Sequence, residues 1–81
     1  MATYEVEVVI KPWEDGGYIA EAVGLRGCWA VADTIGQVVE DIREVVQMWL
    51  DARREYDMPV PPELAAADNV VIRVVVPVGA V

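Results

Sequence analysis

The chain has no histidine, a single cysteine and only six lysines and arginines among its 81 residues, and each shortage removes a class of function. Without histidine it lacks the side chain that most often serves as a neutral-pH acid, base or metal ligand. One thiol, Cys28, cannot close an internal disulfide, which excludes a stapled secreted miniprotein. With no histidine to activate it, Cys28 reads as a small buried apolar residue rather than a nucleophile. The scarce cations face 14 carboxylates, for a net charge of −8. That balance disfavours a grip on phosphates, so direct nucleic-acid binding is not expected and a basic protein is the better electrostatic match. Long apolar runs are missing too: none approaches the roughly 18 residues of a membrane span, and the start MATYEVEV has no basic segment followed by an apolar one. A soluble, cytoplasmic protein with no membrane partner is expected. The length suits one domain, near the lower size at which a core is self-sufficient, so a homo-oligomer, dimer or tetramer, is expected as well.

What is present is organised around Asp33 to Arg54. Ile35, Val38, Val39, Ile42, Val45, Val46, Trp49 and Leu50 recur at spacings of three and four and fall on one stripe. Gln37, Glu40, Asp41, Glu44, Gln47 and Asp51 take the other side. Thr34 and Gln37 have the spacing of a capping box, which marks the helix start. Arg53 and Arg54 lie toward the negative end of the helix dipole.

Ahead of the helix, Thr3 to Lys11 alternates, with Tyr4, Val6, Val8 and Ile10 on one face and Glu5, Glu7, Val9 and Lys11 on the other. Pro12 to Gly17 supplies turn chemistry, and Tyr18 to Val23 returns with Tyr18, Ala20 and Ala22 inward and Ile19 and Val23 outward. After a tight connection at Gly24 to Gly27, Cys28 to Ala32 is a third strand. Beyond the helix, Met58 to Pro62 is expected to be non-helical and Glu63 to Asn69 an alanine-rich link. Val70 to Val76 is a fourth strand that Pro77 stops. A crossover from strand 3 through the helix to strand 4 makes strands 1 and 4 parallel. The predicted fold is therefore α+β in two layers, β-β-β-α-β, with sheet order 3-2-1-4 and one long helix on one face. The other face carries Val9, Ile19, Val23, Val71 and Val75 among charges that include Arg73, and these six are the candidate oligomer interface.

Chemistry is harder to find. Asp15, Asp33, Glu40 and Asp41 are candidates for the converging carboxylates of a metal-dependent nuclease, yet each has a sufficient structural role in a turn, beside a cap or on a solvated helix side. Gly24-Leu-Arg-Gly27 lacks the lysine and following hydroxyl of a phosphate-binding loop. Trp13, Trp29 and Trp49 are assigned to packing rather than base stacking. Trp13, in a polar turn, is the one expected to be exposed, and with Glu14 and Asp15 it forms the candidate partner contact. No catalytic residue, cofactor or metal site is predicted.

Glu14-Asp15-Gly16-Gly17-Tyr18-Ile19-Ala20, then Leu25-Arg26-Gly27-Cys28, Asp33-Thr34 and Pro59-Val60-Pro61-Pro62, in that order, resemble the HicB-like antitoxin family over residues 4 to about 62. The resemblance implies that 1–81 is a single HicB-like domain with a partial RNase H-like fold. It also implies a protein-binding role, neutralising a small basic HicA-type toxin that cleaves messenger RNA. Nothing like the DNA-binding extension of longer members follows Val76, so a short form is expected, without autorepression. The alternative is an orphan oligomeric module that binds a small molecule or another protein.

Overall fold

Strands form where apolar and polar side chains alternate, and a helix where they recur at the helical period. The structure, a computed structural model, describes residues 3–76. It contains β1 (Thr3–Pro12), β2 (Tyr18–Ala22), β3 (Trp29–Ala32), α1 (Ile35–Glu55), α2 (Pro62–Ala65) and β4 (Asn69–Val75). The four strands make one sheet in the order β3-β2-β1-β4. Strands β1, β2 and β3 form an antiparallel meander, and β4 returns parallel to β1. This is the expected α+β architecture with the expected strand order.

The β1–β2 hairpin closes through Trp13 N–H donating to the Gly17 carbonyl and Gly16 N–H to the Trp13 carbonyl, both at 3.0 Å. Gly17 has a φ of +77°, and a Cβ there would collide with the Ala32 carbonyl across the sheet. Only glycine serves both the turn and that close approach.

Val6, Val8 and Ile10 of β1, Ala20 and Ala22 of β2, Ala30 of β3 and Val38, Ile42, Val46 and Leu50 of α1 form the buried core. The alanines let the helix lie close across β2 and β3. Leu25, from the connection between β2 and β3, and Leu64, from α2, plug this core as well. At the start of α1 the Thr34 hydroxyl accepts the Gln37 N–H at 3.1 Å. The return arm of the expected capping box is replaced, because the Gln37 amide instead donates to Asp41 one turn on, at 2.8 Å.

α1 ends in a Schellman turn. Met58 N–H bonds to the Arg53 carbonyl and Asp57 N–H to that of Arg54, with Asp57 in the left-handed region. Arg53 then fixes the following segment: its guanidinium donates to the Pro59 carbonyl at 2.9 Å and lies 4.2 Å from the centre of the Trp49 ring.

Several expectations need correction. Ile35 is exposed, because the first helical residue has packing neighbours on one side only. Cys28 precedes β3 rather than opening it; its N–H bonds to the Leu25 carbonyl and its own carbonyl accepts from Ala22. Pro62, expected to be non-helical, is the first residue of α2, where a missing N–H costs nothing. Val74, in register with the buried Val8, points to the helix side yet is 38% exposed, since α1 packs over β3 and β2. The expected stop at Pro77 lies outside the described residues.

Candidate functional site

Side chains alternate along each strand, so the cross-strand register assigns the face that α1 leaves open. One row across it runs Trp29, Glu21, Val9 and Val75. The next, toward the β1–β2 hairpin, runs Val31, Ile19 and Lys11. In the opposite direction Glu7 lies beside Arg73 and Glu5 beside Val71. Val23, just past β2, is held against β1 by its N–H to the Glu7 carbonyl at 2.8 Å. All six oligomer-interface candidates, Val9, Ile19, Val23, Val71, Arg73 and Val75, thus share this face.

A shallow cavity of about 640 Å³ opens on it, lined by Val9, Trp13, Ile19, Glu21, Val23 and Trp29 together with the Gly24–Gly27 connection and Cys28. Its floor is apolar, and its edge carries one carboxylate, Glu21, and one guanidinium, Arg26. Lys11 lies 3.4 Å from Glu21 and Arg73 3.8 Å from Glu5. Both pairs are solvated and contribute little to stability, but they give Lys11 and Arg73 each an acidic neighbour. Trp49 is turned away into the fold, where its indole N–H donates to the Arg26 carbonyl at 2.9 Å and steadies the cavity's loop.

The tryptophans depart from expectation. Trp13 is half-buried, whereas Trp29 is the exposed one at 56%. The signal was in the alternation: Ala30 and Ala32 pair with Ala20 and Tyr18 on the inner face, which forces Trp29 and Val31 outward. Ile19 also differs, being only 6% exposed on a face expected to be open. It sits in the cavity floor among larger side chains, so it offers a partner little area of its own. Glu14 and Asp15 are exposed at the hairpin tip beyond the cavity lining.

Cys28 borders the cavity but its thiol is buried, and desolvation pushes its pKa up, away from the thiolate that nucleophilic chemistry needs. The acidic candidates are dispersed. Asp15 is in the hairpin, Asp33 precedes the cap, and Glu40 and Asp41 are on α1. Among the described residues no three histidine, cysteine, aspartate or glutamate side chains gather as a metal-holding group, and no helix is long and apolar enough to cross a membrane. What this surface offers is an apolar, aromatic-lined hollow on a strongly acidic chain.

No family model matches the chain. Among curated proteins it is similar to a UPF0150 protein of Synechocystis sp. at 32% identity over 54 residues, covering 67% of this chain and 74% of the relative. A second UPF0150 protein of Synechocystis is also 32% identical, over 72 residues that cover 89% of this chain and the whole of the relative. A UPF0150 protein of Archaeoglobus fulgidus is 26% identical over 62% of this chain and 72% of its own length.

Proposed function

This chain belongs to the UPF0150 protein family, and we propose that it acts as a HicB-like antitoxin, a non-enzymatic module that binds and neutralises a small basic HicA-type RNA-cleaving toxin. One observation carries the reading. The helix-free face presents a hollow flanked by Trp13 and Trp29, with Trp29 exposed, on a chain of net charge −8. Exposed tryptophan in a concave apolar patch is the usual anchor of a protein interface. The surrounding negative field draws in a basic partner and sets how fast the two meet. Residue order and strand topology agree with the HicB-like resemblance, and the role asks no chemistry of the chain itself.

The test is calorimetric titration of a purified HicA-type toxin with the chain at low and high salt. Binding that weakens as salt rises, and weakens further with Trp29→Ala, fits the proposal. An affinity indifferent to both moves the contact to another surface.

The cavity itself supports a second reading, an orphan module whose ligand is a small apolar molecule, since about 640 Å³ is within the range of ligand pockets. Toxin binding and ligand binding separate in one experiment. A small molecule that fills the cavity changes Trp29 fluorescence with no protein partner present, whereas an antitoxin shows that change only with its toxin.

A further inference from the structure

We propose that two copies of this chain join through the outer edges of their β4 strands, antiparallel about a two-fold axis passing between the two Ile72 residues. The result is one continuous sheet of eight strands, four from each copy. This pairing is independent of what the chain binds.

β4 ends the sheet order, so among the described residues its outer edge faces no other strand. Edges of soluble proteins are normally blunted by charge, proline or a covering element. Along its seven residues, NVVIRVV, β4 has one charge, Arg73, and no proline. The helix does not cover it either: a hollow of about 430 Å³ lies between α1 and β4, lined by Arg43, Val46, Gln47, Val70, Val71 and Ile72. Val71 and Val74, on opposite faces of the strand, are both more than one-third exposed. An edge so apolar on both faces suits another strand, and in a domain of this size the added burial supplements a small core.

The register follows from the charges. A two-fold axis normal to the sheet keeps the open faces together, so facing residues are of like parity. Centring the axis on residue 73 would set Arg73 against its own copy. Centring it on Ile72 overlaps all of Asn69–Val75 and sets Arg73 across from the partner's Val71. Since Glu7 neighbours Arg73 and Glu5 neighbours Val71 within each sheet, the open-face row becomes Glu7, Arg73, the partner's Val71, the partner's Glu5. The arginine then sits between carboxylates of both copies. On the inner face Ile72 meets the partner's Ile72, and Val74, left bare by α1, meets the partner's Val70. β-Branched cross-strand pairs of this kind favour pairing, and the register keeps the two arginines from facing each other.

Sedimentation velocity on the full chain and on Arg73→Glu, with circular dichroism to follow the fold, tests the edge. The register is tested by oxidising the double variant Val71→Cys/Arg73→Cys, which places thiols opposite each other at two points, against Val71→Cys alone. The expected result is a dimer at micromolar concentration, an Arg73→Glu protein shifted at least tenfold toward folded monomer, and a cross-linked dimer from the double variant only. A parent chain that stays monomeric at several hundred micromolar overturns the proposal. So does a dimer that ignores Arg73→Glu, and so does a double variant that forms no cross-link while sedimenting as a dimer.

Discussion

At the scale of single residues, the physical chemistry of Thr34 and Cys28 decides most. Thr34 satisfies one of the orphan N–H groups at the start of α1. Thr34→Ala is therefore expected to lower stability by about 0.5–2 kcal/mol in a urea titration while leaving partner binding intact. Cys28 is buried and its folded pKa is raised by desolvation from its ordinary 9.0. The folded state then holds the proton more tightly than the unfolded state, so the contribution is complete below pH 9.0 and lost as pH climbs through the raised folded value. Stability against urea should fall as pH rises above 9.0 more steeply than in Cys28→Ala, which has no thiol to ionise; parallel slopes in the two proteins would contradict it. Residue-level character was legible in part. The burial of Cys28 and the Thr34 cap follow from composition and spacing. The exchange of roles between Trp13 and Trp29 was missed because a turn suggests exposure, while the alternation of β3 had to be followed to see that Ala30 and Ala32 use up its inner face.

At the scale of elements, periodicity carried the four strands, the long helix and their order, since alternation and the helical stripe are each set by which face is buried. Segments without a period were opaque. Leu25 sits between two glycines and Leu64 between proline and alanines, yet both are core residues. Nothing local separates a loop leucine that plugs a core from one in solvent; only the meeting of α2 with the sheet and α1 does so. Leu64 is fully buried, so Leu64→Ala is expected to cost about 2–5 kcal/mol. That loss would show as a lower denaturation midpoint with an unchanged helical signal at low denaturant. A variant as stable as the parent would mean that α2 docks without contributing to the core. The candidate site follows the same division. Its floor, Val9 and Ile19, was legible from strand alternation, whereas its rim, made by the Gly24–Gly27 connection, was not.

At the scale of the whole molecule, 81 residues with net charge −8 combine a thin core with a sheet that α1 covers only in part. Helix α1 leaves bare the open face and the β4 edge. In the function proposed above the cavity face would meet a basic protein through Trp29, and in the proposed dimer the β4 edge would meet a second copy. Engaging both at once is geometrically consistent, because the outer edge of β4 is at one side of the sheet while the cavity lies over β1, β2 and the β2–β3 connection. The most direct measurement follows cleavage of a messenger RNA by a HicA-type toxin as the chain is added. The account predicts that cleavage stops near one chain per toxin, that Trp29→Ala demands a large excess, and that the chain alone with magnesium or manganese leaves the RNA whole. Undiminished cleavage at a tenfold excess of a folded chain, or cutting by the chain itself that disappears in Asp15→Asn or Asp33→Asn, would contradict it.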